Sequence, residues 1–240
     1  MKLDILVIAA HPDDAELGAG GTIFNATKQG KKVGILDLTR GELGTRGTPE
    51  IRAEEAEASR KVLGVAIRDN VGLPDGFLEN RREYQMRILP FIRKYQPEIV
   101  LANAVSDRHP DHGKGAKLIS DACFLSGLQA IESEDENGNV QQAWRPKTVY
   151  NFVQDRYIHP DFVVDISDSW EKKMEAIRAF KSQFHGTQVG EEPQTPISTP
   201  EFIYFLEGRA REYGRSIGVA FGEAFTTERP VGVKGVFDII

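Results

Sequence analysis

The chain has 240 residues, with 30 basic and 36 acidic side chains for a net charge of −6, and 40% hydrophobic against 28% charged residues. That balance excludes a disordered chain, and the acidic surplus excludes nucleic acid as a main partner, because phosphate neutralisation needs a basic surface. No apolar run approaches the ~18 residues of a membrane span, and a single cysteine, Cys123, in the apolar stretch ACFLSGL, reads as a buried thiol with no disulfide partner.

Residues 3–9 are a short apolar run of the kind a buried parallel strand requires. Acidic residues flank it and no small-residue cleavage site follows, so it reads as a first strand and not as a secretory leader. The expected setting is cytoplasmic, without a membrane partner. The segment HPDDAELGAGG comes next, and TIFNATKQG reads as a helix stopped by Gly30. Residues 32–39 (KVGILDLT) are a second strand, followed by the Gly-rich loop RGELGTRGT. Thr48 can cap a helix over 49–63, with Pro49 in its first turn and Gly64 after its end. The turn GLPDG and a helix over 79–95 lead to a third strand at 98–102, which runs into the loop NAVSDRHPDH. Further on we expect a helix over 113–129, an exposed acidic loop over 132–142, and strands over 148–153 and 162–166. Asp168 can cap a helix running to 184. The stretch HGTQVGEEPQTPISTP reads as a long loop, and a last helix covers 200–217. Strands alternating with helices, with no repeat and no linker, give one domain over 1–240. Its class is α/β: a Rossmann-like, mostly parallel sheet flanked by helices.

Two unusual segments each follow the carboxyl end of an expected strand, the edge where open α/β sheets bind ligands. They are His11-Pro12-Asp13-Asp14-Ala15-Glu16 and Asp107-Arg108-His109-Pro110-Asp111-His112, and they hold three of the five histidines. Imidazole and carboxylate together suit Zn²⁺, with three protein ligands and an open position in a catalytic site. His11 and Asp14, three apart across a proline turn, can converge on one ion, and either His109 or His112 can complete the face. Iron can occupy a similar set. Asp13 then lies beside the ion without binding it, which makes it a candidate general base. Glu16 is either a supporting group or a favourable acid in a first helical turn. The glycines at 18, 20 and 21 do not fit a dinucleotide fingerprint, since Ile23 stands where the third glycine belongs, so they read as close packing of helix on strand. Arg40, Arg46, Arg52 and Arg108 cluster near the same edge, and Arg52 can equally pair with Glu55 on its own helix. Phe202, Tyr204 and Phe205 read as core. His159 and His185 read as surface or capping histidines.

The pair AHPDDAELG and RHPDHG resembles the zinc-dependent de-N-acetylases of the LmbE-like, PIG-L superfamily. The likeness extends through LDLTRGELGTRGTPEIRAEEA, VGLPDG, FVVDIS and KSQF, in the manner of the bacillithiol-pathway branch that deacetylates N-acetylglucosaminyl malate. The resemblance implies that His11, Asp14 and His112 are zinc ligands and that Asp13 is the general base. It implies that His109 holds the oxyanion, with Asp111 as its supporting partner. Arg52 then faces an acidic aglycone, and Arg108 is a further substrate-side candidate. Several relatives carry a tyrosine near Phe202, which has no hydroxyl to offer. The expected function is hydrolysis of an N-acetyl amino-sugar conjugate, and relatives of this kind are often homo-oligomers. A deacetylase of another amino sugar and a non-catalytic metal- or sugar-binding module are the alternatives. A spare carboxylate at Asp13 favours the enzyme.

Overall fold

Leu6, Val7, Ile8 and Ala9 are all fully buried, which requires a central strand covered on both faces. They belong to β1 (Ile5–Ala9), which pairs in parallel with β2 (Val33–Asp37) on one side and β4 (Ile99–Ala102) on the other. β3 (Ile67–Asn70) extends the sheet beyond β2, and β5 (Thr148–Phe152) extends it beyond β4, both in parallel. β7 (Gly222–Thr227) then lies antiparallel between β5 and β6 (Phe162–Asp165), giving the order β3-β2-β1-β4-β5-β7-β6. The computed structural model describes residues 1–184 and 193–238. Residues 185–192, His185 and the first half of the expected long loop, lie outside the described residues.

Alternation along β1 divides the core. Leu6 and Ile8 face α3 (Arg82–Tyr95) and α4 (Pro110–Ser126), where Ile88, Ile92, Leu118 and Ile119 pack. Val7 and Ala9 face α1 (Asp14–Lys28), with α2 (Pro49–Leu63) and α5 (Trp170–Arg178) on the same side. α6 (Pro200–Ser216) packs through Leu206 and Ala210 onto Trp170 and Ile177. No helix among the described residues is long and apolar enough to cross a membrane.

The mostly parallel α/β sheet is the expected one, with local differences. α1 begins at Asp14, so the first motif caps a helix and the three glycines lie inside it. α4 likewise begins at Pro110, inside the second motif. β3 and β7 escape the apolar pattern, because Arg68 and Glu223 are strand residues buried through ionic partners. Asp168 does not cap α5; a short 3₁₀ turn, Ser167–Ser169, precedes that helix, which ends at Arg178 instead of 184. Thr48 does cap α2, its hydroxyl accepting from Ile51 N–H at 3.3 Å, and Gly64 ends it at φ 66°. Tyr204 and Phe205 are not core: they are 72% and 42% exposed, and Phe205 borders a cavity.

The glycines of α1 are contact points. A Cβ on Gly18 would stand 2.0 Å from the Phe152 ring, and one on Gly21 2.7 Å from Ile166. Gly18→Ala is therefore expected to destabilise the fold by about 1–3 kcal/mol, the scale of overpacking, despite its better helix propensity. Gly208, on α6, has nothing within 4 Å of a Cβ, and Gly208→Ala should stabilise by up to ~1 kcal/mol. Urea midpoints of the two variants check this, and shifts of the same sign would refute it.

Candidate active site

The helices that follow β1 and β4 leave on opposite faces of the sheet, so a crevice opens beyond the carboxyl ends of these neighbouring strands. Both histidine-rich segments meet there. The two oxygens of Asp14 face one imidazole each: Oδ2 is 3.2 Å from His11 Nδ1, and Oδ1 is 3.2 Å from His112 Nε2. Asn103 Nδ2 and the His11 N–H donate to Oδ2 at 3.1 and 3.0 Å, and Gln154 Nε2 donates to Oδ1. Burial alone would raise the pKa of Asp14, but the charge of His112 and the hydrogen bonds of both histidines hold it well below the usual carboxylate range. Asp107 Oδ2 lies 2.6 Å from His112 Nδ1, and its Oδ1 accepts the Arg108 and Arg156 N–H groups at 2.8 Å. This carboxylate fixes the ring so that Nε2 points toward Asp14, the arrangement that supports histidine ligands in metal sites.

His109 completes the imidazole group, with ring centroids 4.6 Å from His11 and 5.1 Å from His112. One nitrogen from each of the three rings falls within 4.8 Å of the others. His109 Nδ1 accepts from the Asp111 N–H at 3.3 Å, which assigns the proton of the neutral ring to Nε2. Burial, with the charges of His11 and His112, lowers its pKa. His11 Nε2 is buried with no hydrogen-bond partner, although Asp75 Oδ1 and Asp111 Oδ2 lie 3.0 and 3.4 Å away. An unsatisfied buried imidazole nitrogen among carboxylates and two more imidazoles fits a divalent cation. The nitrogen and oxygen donors suit zinc or iron.

Asp13 stands at the N-cap of α1 with φ 114°, a conformation an L-residue adopts only when its surroundings impose it. Arg52 supplies part of that constraint: Nη2 donates to Asp13 Oδ2 at 3.1 Å and to the Pro12 carbonyl. Burial pushes the Asp13 carboxyl up to about 7; the Arg52 charge opposes this, and those of Asp14 and Glu16 add to it. Asp13, Asp14, His11, His109 and His112 all line one cavity of about 360 Å³, walled on the far side by Phe202, Phe205, Leu206 and Arg209 of α6.

The structure thus brings together His11, Asp13, Asp14, His109 and His112. Two expectations change. Arg52 is buried on Pro12 and Asp13, not paired with Glu55, whose oxygens accept from Ser182 N–H and Oγ at 2.6 and 2.8 Å. The Asp111 carboxylate does not meet the His109 ring; it accepts the Gly76 and Leu78 N–H groups at 2.7 and 3.1 Å, because the turn after β3 supplies free donors there. Arg108 sits half-exposed at the rim, Nε 3.4 Å from Asp155. Glu16 is a buried supporting group, accepting from Ser59 Oγ at 2.6 Å and Arg68 Nη1 at 2.5 Å. Arg46 Nε donates to the Ser182 carbonyl at 2.8 Å, Arg40 is exposed, and His159 is an exposed surface residue as expected. Asp75, Asn103 and Gln154 were not singled out from the sequence, and Asp107 was named in its segment without a role. Asn103 and Gln154 follow the ends of β4 and β5, so the strand-end rule that found the histidines would have found them too.

Residues 6–123 match the family model described as "PIG-L: GlcNAc-PI de-N-acetylase". The diacetylchitobiose deacetylase of Thermococcus kodakarensis is 35% identical over 191 residues, covering 75% of this chain and 70% of that protein. A probable N-acetyl-alpha-D-glucosaminyl L-malate deacetylase of Bacillus subtilis is 28% identical over 203 residues, 78% of this chain and 86% of the relative. The crystal structure of the conserved protein TT1542 from Thermus thermophilus superposes with a TM-score of 0.86 at 34% identity, over 98% of each chain. With this fold, this donor set and these relatives, the chain belongs to the PIG-L/LmbE-like deacetylase family and is an amide-hydrolysing enzyme.

Proposed function

We propose that the enzyme removes the acetyl group of a 2-acetamido sugar conjugate, N-acetylglucosaminyl malate in the narrowest reading, to give acetate and the free amine. The observation that carries this is Asp13: a buried carboxyl held by Arg52 on the cavity wall, beside a separate His/Asp donor set. A non-catalytic module has no use for it. His11, Asp14 and His112 would hold a divalent cation, zinc in this reading, which when bound supplies Lewis acidity toward the amide carbonyl and acidifies water. Asp13 takes a proton from the water whose oxygen attacks the carbonyl carbon. His109 donates Nε2–H to the oxygen that gains negative charge. The C–N bond then breaks as Asp13 returns its proton to the nitrogen.

Acetate release by the zinc-loaded protein from N-acetylglucosaminyl malate, diacetylchitobiose and N-acetylglucosamine tests the reading. The malate conjugate is expected to give the highest kcat/KM. A preference for diacetylchitobiose would leave the amide hydrolase standing and overturn the malate assignment, and release from none would overturn both.

Arg52 acts here through Asp13, as a positioning residue. Removing its charge in Arg52→Ala lets the Asp13 pKa rise, so the acid limb of kcat/KM moves to higher pH. At pH 7 the loss should be roughly fivefold, the fall in ionised base when a pKa of about 7 rises by about one pH unit. The loss should be alike for all three substrates, with metal content unchanged. An unshifted profile with a loss confined to the malate conjugate would place Arg52 on the substrate instead.

A further inference from the structure

Four arginines line or approach the cavity, and three already have acceptors. Arg52 donates to Pro12 and Asp13, Arg46 to Ser182, and Arg108 to Asp155. Arg209 differs in having no acceptor at all. Its Nη1, like Arg52 Nε, is buried with no hydrogen-bond partner, and no hydrogen bond or ion pair engages its side chain among the described residues. Its guanidinium lies 4.8 Å over the Phe205 ring, a cation–π contact that orients the plane without satisfying a single N–H. The side chain nevertheless borders the same cavity as Asp13 and His109. Leaving a desolvated guanidinium without acceptors is costly, and substrate-binding sites tolerate that cost when the ligand brings the acceptor.

We propose that Arg209 selects the substrate by gripping a carboxylate of the group attached to the amino sugar. This inference rests on the deacetylase reading and specifies its substrate class. The planar fork can meet a carboxylate with two parallel hydrogen bonds, and an anion adds a countercharge at hydrogen-bond distance, where Asp155, Asp107 and Glu223 act on the guanidinium without bonding to it. A neutral hydroxyl would satisfy one donor and add no charge. Arg108, beside Asp155 on the same cavity, is the second cation available to such an aglycone.

The competing account is structural. Arg209 also borders a small inner cavity of about 20 Å³ with Tyr213, Lys173 and Glu223, and Tyr213 Oη is likewise buried without a partner. If Arg209 serves only to order that interior, its loss changes stability and leaves substrate preference alone.

The experiment compares N-acetylglucosaminyl malate with its dimethyl ester, which keeps the shape and loses both charges. Wild type, Arg209→Met and Arg209→Lys are assayed as zinc-loaded enzymes, with metal content and melting temperature recorded. Arg209→Met should lower kcat/KM for the diacid by roughly 10- to 150-fold, the worth of one charge-assisted hydrogen bond, with the ester little changed. Arg209→Lys should recover part of the loss, since it keeps the charge without the fork. Should Arg209→Met fail to fold, the diacid-to-ester ratio of Arg209→Lys against wild type decides. An unchanged ratio in the folded variants, or equal losses on both substrates, overturns the assignment. Wild type that hydrolyses neutral N-acetyl sugars as well as the diacid overturns it too and leaves the deacetylase reading intact. No acetate from any N-acetyl sugar ends both.

Discussion

Asp13→Asn is expected to keep its metal and lose at least ~10²-fold in kcat, the usual contribution of a general base. Asp14→Ala, one residue on, should instead lose metal affinity by more than the roughly 10- to 100-fold typical of supporting residues around a metal. The contrast follows from local geometry. Asp13 precedes the helix at φ 114° and faces Arg52, whereas Asp14 is the first residue of α1 and is held between His11 and His112. An asparagine at 13 preserves an oxygen for Arg52 but cannot accept a proton at neutral pH. An alanine at 14 removes an oxygen from each imidazole and leaves Asn103 and Gln154 without their acceptor. Elemental analysis and kcat on the same preparations decide between the roles. Equal metal loss in both variants would show that the two carboxylates act as one ligand set.

That these two positions reach one crevice was legible in the sequence because the motif is local. His11 and Asp14 are three residues apart, and a strand end followed by a helix start places both in the crevice. The sheet was legible for a similar reason: β1, β2 and β4 are apolar runs buried on both faces. What escaped depends on partners distant in sequence. Arg68 looks like a surface residue until it is seen with Glu16 and Asp37, at 2.5 and 2.8 Å, and with it β3 looks like a loop. Arg52 has a plausible partner three residues away, and only the fold shows that Asp13, 39 residues earlier, is the real one. Asp111 belongs to the motif, yet its acceptors are used by Gly76 and Leu78, and no spacing encodes that contact. Arg209 carries no signal at all, since a mid-helix arginine on a partly exposed face is ordinary.

Glu223→Gln should be the most damaging of the structural variants, at about 3–5 kcal/mol, the cost of leaving one buried charge of a pair uncompensated. Glu223, on β7, accepts from Lys173 Nζ at 2.6 Å and from the Gly21 and Thr22 N–H groups at 2.9 and 2.7 Å. Lys173 Nζ also donates to the Leu17 carbonyl at 2.9 Å, so the pair grips the backbone of α1 in mid-helix. Gly20 makes this possible, because a Cβ there would stand 3.2 Å from Lys173 Cγ. Burial lowers the Lys173 pKa, and the Glu223 charge offsets that only in part. With a neutral amide at 223, Lys173 stays buried without a countercharge, and the amide N–H groups compete with those of the helix. Lys173→Met removes the other charge and leaves Glu223 its two backbone donors, so it should cost less. In the double variant no charge is stranded, and it should be more stable than Glu223→Gln alone, with a coupling of about 0.5–3 kcal/mol. Urea unfolding of the four proteins gives that coupling directly. If the double variant loses the sum of the two single losses, the two charges do not act as a pair. The grip on α1 would then rest on the backbone hydrogen bonds alone.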